Sequence, residues 1–175
     1  MSELLLGCGS NRIKKVVVGG QSEWAALTTL DHEESHNPDI LFDLNNTDLP
    51  FDDDQFDEIH AYEILEHVGK QGDYRFFFAQ FSDFWRILKP NGFLIGTVPL
   101  VESPWAWGDP SHVRVIPMQS FVFLCQPEYE KQVGITPMSD FRSIYKADFD
   151  ILHLAKEGDL LHFVLQAIKP SRIIE

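Results

Sequence analysis

The chain has 175 residues, the length of one domain, and its hydrophobic fraction of 44% is ordinary for a globular protein. The formal net charge of −13 argues against electrostatic binding of phosphate backbones over a broad surface, so we do not expect a nucleic-acid partner. The two cysteines, Cys8 and Cys125, lack the spacing of a metal site or a disulfide framework. We therefore expect no bound metal and a reducing compartment.

The N-terminal residues Met1, Ser2 and Glu3 lead directly into an apolar segment, without a charged leader or a cleavage site. No apolar run in the sequence is long enough to span a bilayer. We therefore expect a cytoplasmic protein that has no membrane partner.

Strand and helix signals alternate along the first hundred residues, which favours a parallel sheet. Strands are predicted at 3–8, 26–31, 39–42, 58–62 and 93–98. A helix is predicted over 73–88, stopped by Pro90-Asn91-Gly92. Two further strands, at 150–155 and 161–168, are joined by a polar turn and predict an antiparallel hairpin at the edge of the sheet.

Residues 99–147 form a connection far longer than usual, and connections of this length are usually functional. We expect this stretch to be a substrate-facing insertion or lid within a single domain spanning 1–175. One helix is predicted in it, near 117–124, with Pro117 at an early helical position. Trp105, Trp107 and Tyr129 could stack on a ring or sugar face, or could pack as core residues.

The predicted helix over 73–88 carries aromatic residues on two faces. Six apolar residues form one stripe: Tyr74, Phe77, Phe78, Phe81, Trp85 and Leu88. Three others, Phe76, Phe84 and Ile87, lie off that stripe. A helix that is apolar on two faces is buried on both or packs on another subunit. We expect burial beneath the chain's own loops, with a homodimer as the alternative.

The run Gly7-Cys8-Gly9-Ser10 follows the first apolar strand. Ligands of open α/β sheets bind beyond the carboxyl ends of the strands, and glycine allows a ligand to approach the backbone closely. Position 12 is arginine where a dinucleotide fingerprint has its third glycine, which counts against NAD. By itself the run predicts only a tight turn that is compatible with a ligand.

Acidic residues close the next two predicted strands. Asp31 lies 22 positions after Gly9, a spacing at which a carboxylate can accept hydrogen bonds from ribose hydroxyls. Asp43 could accept from the exocyclic amine of adenine, with Leu44 packed on the ring. For both aspartates the alternative is a role in a local turn or cap.

Four segments occur in order at workable spacings: Leu6-Gly7-Cys8-Gly9-Ser10, Leu49-Pro50-Phe51, Leu65-Glu66-His67-Val68 and Leu88-Lys89-Pro90-Asn91-Gly92. On these segments the chain resembles the class I S-adenosylmethionine-dependent methyltransferase family, from Leu4 to about Val98. The resemblance continues more weakly through 109–114 and the final hairpin. It implies an α/β, Rossmann-like, three-layer α/β/α fold, with a seven-stranded, mostly parallel sheet that ends in an antiparallel hairpin.

The resemblance also implies S-adenosylmethionine as the cofactor and assigns residues to its parts. Those at the methionine part are Gly7, Cys8 and Gly9, with Ser10 beside them. Asp31, followed by His32, would take the ribose, and Asp43 and Leu44 would flank the adenine. Residues at the sulfonium side are Ala61, Tyr62 and Glu63, with His67 near that edge. The family usually has a helix between the first two strands, but residues 15–20 have poor helical character and predict a short helix or an extended segment.

Methyl transfer from a sulfonium is a direct displacement, so a general base is needed only if the nucleophile must lose a proton. The best candidate base is His112, with Asp109 near enough in sequence to orient it. The alternative is that His112 fixes a loop or contacts the substrate. We expect a methyltransferase acting on a small-molecule or sugar-like acceptor. The alternatives are a cofactor-binding interaction module without catalysis and a methyltransferase acting on protein or nucleic acid.

Overall fold

The computed structural model describes residues 1–174, and within them seven strands form one sheet of order β3-β2-β1-β4-β5-β7-β6. The strands are β1 (Ser2–Leu6), β2 (Ala26–Asp31), β3 (Ile40–Leu41), β4 (Phe56–Tyr62), β5 (Leu88–Pro99), β6 (Phe149–Glu157) and β7 (Leu160–Ala167). Strands β1 to β5 pair in parallel, whereas β7 is antiparallel to both β5 and β6. The predicted α/β class, the mostly parallel sheet and the C-terminal hairpin are confirmed.

The described helices are α1 (Tyr74–Ile87), α2 (Pro104–Gly108) and α3 (Gln126–Gln132), with 3₁₀ turns at Glu34–His36, Leu65–His67 and Met118–Leu124. Helix α1 begins where the Asp73 carboxylate accepts a hydrogen bond from the Phe76 N–H at 3.1 Å, an N-cap interaction. None of the helices in residues 1–174 is long and apolar enough to cross a membrane.

Strand β5 begins at Leu88, five residues earlier than predicted, directly after α1. Pro90-Asn91-Gly92 therefore lies inside the strand rather than in a loop. Asn91 has a φ of 64°, and the pairing with β4 shifts register between Phe56 and Glu58. The turn residues create an irregularity in the strand, which is a common use of such residues at a sheet bulge.

Residues 99–147 contain three short helical elements, so the prediction of a single helix was incomplete. The predicted one is the 3₁₀ helix Met118–Leu124, with Pro117 just before it. Helix α2 begins with Ser103, whose hydroxyl accepts from the Trp105 N–H, followed by a proline in the first turn. Helix α3 also has a proline in its first turn.

The main core lies between the sheet, α1 and the segment that follows α2. Phe78 of α1 packs against Phe141 and Tyr145, with ring centroids 4.9 and 5.0 Å apart. Phe121 lies 4.8 Å from Phe163 of β7. The expected burial of α1 beneath the chain's own loops is thus confirmed at Phe78, and the homodimer alternative stays a prediction.

The opposite face of the sheet is covered by residues 11–25, which contain no helix. This confirms the expectation of an extended segment between β1 and β2. Its Lys14 is buried, with Nζ 2.5 Å from Glu3 and 2.9 Å from Glu58. The Val16 N–H donates to the Tyr62 hydroxyl at 3.2 Å. Polar contacts beneath the segment thus replace the contacts of a helix.

Candidate functional site

The glycine turn lies at the carboxyl end of β1, at the edge where ligands of open α/β sheets bind. Gly7 and Gly9 have φ angles of 57° and 51°, which glycine adopts without strain. A Cβ on Gly7 would lie 2.5 Å from Ile64 Cγ1, so packing requires this glycine. A Cβ on Gly9 would meet no heavy atom within 4 Å, so the backbone there faces open space.

Asp31 lies beside that turn, as the spacing predicted. Its Oδ2 accepts a hydrogen bond of 2.9 Å from the Gly9 N–H, and its Oδ1 accepts one of 2.9 Å from the Glu33 N–H. Burial alone would raise the pKa of Asp31, but these two hydrogen bonds and the neighbouring His36 lower it below its usual range. His32 lies 3.4 Å away, with its side chain mostly exposed. The turn therefore faces a charged carboxylate.

Asp43 and Leu44 have local structural contacts. The Asp43 Oδ1 accepts from the Asn45 N–H and from Asn45 Nδ2, both at 2.9 Å, which forms an Asx turn. Leu44 is buried in the main core. The predicted contact of these two residues with adenine stays a prediction.

The residues around the glycine turn and at the end of β4 differ in burial. Cys8 and Ala61 are buried, and Ser10 is exposed. The Tyr62 hydroxyl lies 2.7 Å from His60 Nδ1, and burial raises the pKa of Tyr62 to about 12. Glu63 follows with a φ of 53°, an uncommon conformation for a residue with a side chain and one enriched at functional sites.

A cavity of about 440 Å³ opens next to Glu63, beyond the carboxyl ends of β4 and β5. Its polar and aromatic lining includes Glu63, Glu66, His67, Trp105, Asp109 and His112. The first part of the predicted insertion 99–147 thus forms one wall of the cavity, and the segment after β4 forms another.

Backbone hydrogen bonds join these two walls. The Glu66 carbonyl accepts from the Val113 N–H at 2.9 Å and from the Arg114 N–H at 3.3 Å. The Arg114 Nε donates to the Leu65 carbonyl at 2.7 Å. As a result the rings of His67 and His112 meet edge to face, with centroids 4.6 Å apart.

Glu66 is the most unusual group in the cavity, because only 2% of it is exposed and neither carboxylate oxygen has a hydrogen-bond partner. Burial raises the pKa of Glu66 to about 7. Burial, followed by the nearby His112, lowers the pKa of His67. One ligating atom from each of Glu66, His67 and His112 lies within 4.8 Å of the others.

Asp109, which was predicted to orient His112, makes no hydrogen bond to it in this structure. Asp109 Oδ2 lies 3.9 Å from His112 Nε2, which is beyond hydrogen-bond distance. Asp109 Oδ1 instead accepts from the Ser111 N–H at 2.8 Å and from the Ser111 hydroxyl at 2.6 Å, which lowers the pKa of Asp109. The structure therefore brings the two residues into one cavity without joining them.

Sequence reasoning did not predict Glu66 as a site residue, although it lies in the recognised Leu65-Glu66-His67-Val68 segment. The available signal was a carboxylate in a segment that begins and ends with apolar residues, Leu65 and Val68. A second close group, Glu3, Glu58 and His60, is also buried. That group already contains the Lys14 ammonium, so we interpret it as a structural ion pair.

A family model described as a methyltransferase domain matches residues 4–96, slightly more than half of the chain. The chain therefore belongs to the class I S-adenosylmethionine-dependent methyltransferase family, and its cofactor is S-adenosylmethionine. No curated protein matches the chain at a significant level.

Solved structures show the same fold at low identity. A methyltransferase dependent on S-adenosylmethionine from Archaeoglobus fulgidus is 12% identical, with a TM-score of 0.60 over 94% of this chain and 85% of that one. A chain from the complex between the Haloferax volcanii Trm112 methyltransferase activator and a methyltransferase is 16% identical, with a TM-score of 0.55 over 95% and 82%. Phosphoethanolamine N-methyltransferase 1 of Haemonchus contortus is 12% identical, with a TM-score of 0.55 over 99% and 41%.

Proposed function

We propose that this chain transfers the methyl group of S-adenosylmethionine to a small molecule bound in the 440 Å³ cavity. The observation that carries the proposal is the 2.9 Å hydrogen bond from Gly9 to Asp31, at the sheet edge that adjoins this cavity. A ligand-compatible turn, a charged carboxylate and an acceptor-sized space lie along one edge of the sheet.

The glycine turn fits the methionine part of the cofactor, because its backbone faces open space at Gly9. Asp31 would accept from the ribose hydroxyls, since a carboxylate has about four acceptor sites and the Gly9 and Glu33 N–H groups use two of them. Cys8 and Ser10 would contribute backbone to the turn, and Glu63 would face the sulfonium side from the end of β4.

The volume of the cavity supports the proposal of a small-molecule acceptor, because sites for such ligands usually have volumes of about 300–1,000 Å³. Trp105 lies at its mouth with 64% of its surface exposed, so the indole ring is free to stack on an acceptor. Glu66, His67 and His112 supply the polar contacts that would orient the nucleophile.

The cofactor supplies a methyl group already activated on its sulfonium. The chain must align the acceptor with that methyl and exclude water, an effect worth roughly 7–11 kcal/mol in favourable cases. His112 would contact the acceptor from the wall opposite Glu63. As a general base it would add about 10²–10⁴-fold, with Asp109 rotating closer to orient it.

Calorimetric titration with S-adenosylhomocysteine tests the proposal. We expect one binding site with a dissociation constant below about 100 µM, within the usual range for enzyme ligands. Absence of binding at several times that concentration by folded protein would contradict it. Mass spectrometry of a metabolite extract incubated with the protein and S-adenosylmethionine would then identify the acceptor.

A further inference from the structure

We propose that Glu66, His67 and His112 bind a divalent transition-metal cation in the acceptor cavity, and that this ion holds a hydroxyl oxygen of the acceptor. The ion site is inferred from these residues alone. Its role toward an acceptor rests on the function proposed above.

The three side chains form a suitable ligand set. Each offers one atom within 4.8 Å of the other two. Two imidazole nitrogens and one carboxylate oxygen suit zinc, cobalt and neighbouring first-row cations. Three protein ligands with a further position open toward a cavity are the usual pattern of catalytic metal sites.

Several polar atoms of this cluster lack a hydrogen-bond partner among the described residues. Both oxygens of Glu66 and the Nδ1 of His112 are buried without a partner, although most buried polar groups in proteins have one. The buried Arg114 guanidinium makes no hydrogen bond to the Glu66 carboxylate, because it donates to Leu65 and Gln80 instead. A cation at the cluster would supply the missing partner.

The buried group on the other face of the sheet provides a comparison within the same protein. Glu3, Glu58 and His60 are equally close together, but there the Lys14 ammonium lies 2.5 and 2.9 Å from the two carboxylates. The described residues place no such ammonium among Glu66, His67 and His112. This difference favours the cavity cluster as the metal site.

The backbone holds the cluster in place. Glu66 and His67 belong to the 3₁₀ turn Leu65–His67, and the hydrogen bonds from Val113 and Arg114 to the Glu66 carbonyl fix the approach of His112. Asp109, at 3.9 Å from His112 Nε2, is near enough to become the outer carboxylate partner that metal-bound histidines usually have.

The ion site specifies the chemical class of the acceptor as a small molecule with a hydroxyl group. A cation lowers the pKa of a bound hydroxyl, so the hydroxyl can release its proton to water. The oxygen lone pair then forms the bond to the methyl carbon, while the carbon–sulfur bond breaks and its electron pair stays on sulfur. When the ion is bound, His112 is a ligand of the ion, and this role replaces the general-base role described under the proposed function.

Cobalt binding tests the site without any assay of activity. Protein without a histidine tag is stripped with chelator and titrated with Co²⁺, and the visible absorption of the bound ion is followed. We expect one equivalent to bind and Zn²⁺ to displace it. Glu66→Gln and His112→Asn should each weaken binding by about 100-fold, since loss of even an outer partner costs about 10–100-fold. His153→Asn, at an exposed position of β6, is the matched control and should bind cobalt normally.

Absence of stoichiometric cobalt absorption, or equal absorption in wild type and both cavity variants, would overturn the proposal. If Glu66→Gln does not fold, His112→Asn decides the result. Calorimetry with S-adenosylhomocysteine separates the two proposals: cofactor binding without cobalt binding overturns only the metal site, and cobalt binding without cofactor binding overturns only the proposed function. Catechol, as a hydroxyl probe, should shift the cobalt bands, and unchanged bands would overturn the role of the ion toward the acceptor.

Discussion

The Gly9 N–H donates a hydrogen bond of 2.9 Å to the Oδ2 of Asp31, across 22 positions of sequence. The bond joins the turn after β1 to the end of β2, so the positions of the turn and the carboxylate depend on each other. The methionine part and the ribose of the cofactor would therefore be positioned by a single unit of structure.

We predict that Asp31→Asn weakens binding of S-adenosylhomocysteine by about 10–100-fold, because hydrogen bonds to a charged group contribute about 1.5–3 kcal/mol. Calorimetry measures the effect, and a thermal melt shows that the variant is folded. Asp52→Asn, in an exposed loop, is the control and should bind normally. An affinity for Asp31→Asn within twofold of wild type would rule out the ribose contact.

Gly9→Ala should lower both stability and cofactor affinity, whereas Gly158→Ala should lower stability alone. Both glycines have positive φ, at 51° and 58°, and neither would place a Cβ within 4 Å of another atom. Each substitution should therefore cost about 1–2 kcal/mol of backbone strain. Only the methyl group at Gly9 would enter the cofactor's space. Equal affinities of the two variants, measured by calorimetry, would place the cofactor elsewhere.

Two adjacent lysines should differ strongly in their effect on stability. The Lys14 side chain is 1% exposed and pairs with Glu3 and Glu58, so Lys14→Met leaves buried carboxylates unpaired and should cost about 3–5 kcal/mol. The Lys15 side chain is 37% exposed and pairs with Glu63, so Lys15→Met should cost at most about 1 kcal/mol. Urea unfolding measures both free energies, and similar costs would show that the Lys14 pair is not a structural anchor.

The same ion pair predicts a pH dependence of stability. Burial alone would raise the pKa of Glu58, but His60 and Lys14 lower it from 4.5 to about 2. A lowered folded-state pKa stabilises the protein above pH 4.5, and this contribution is lost as the pH falls toward 2. At about 1.4 kcal/mol per pKa unit, the contribution is of the order of a few kcal/mol. The difference in unfolding free energy between wild type and Glu58→Gln should thus shrink between about pH 6 and pH 3, and a constant difference would contradict the assignment.

The positions of the strands and of the long helix along the chain could be predicted because their signals are local. Apolar runs that end in acidic or turn residues marked β1, β2 and β4, and Asp73 marked the start of α1 within one residue. Strand β3 contains only two of the four predicted residues. Asp39 lies outside the strand, where its carboxylate accepts hydrogen bonds from the N–H and the hydroxyl of Thr29.

The candidate site likewise contains residues that local signals predict and residues that they do not. Asp31 was predictable, since one strand and a fixed spacing place it beside Gly9. The approach of His112 to Glu66 was not, because it depends on backbone hydrogen bonds from Val113 and Arg114 across more than 40 positions. The hydrogen bonds of Asp43 to Asn45 are also local, yet the sequence alone could not decide between a turn and a ligand contact.

A crystal structure of the complex with S-adenosylhomocysteine is the decisive test of the proposed cofactor site. We expect ribose hydroxyls within hydrogen-bond distance of the Asp31 carboxylate, the methionine part against the backbone of Gly7 and Gly9, and the sulfur facing the cavity of Glu66 and His112. A ligand bound elsewhere, or bound with its sulfur turned away from that cavity, would contradict the proposed site.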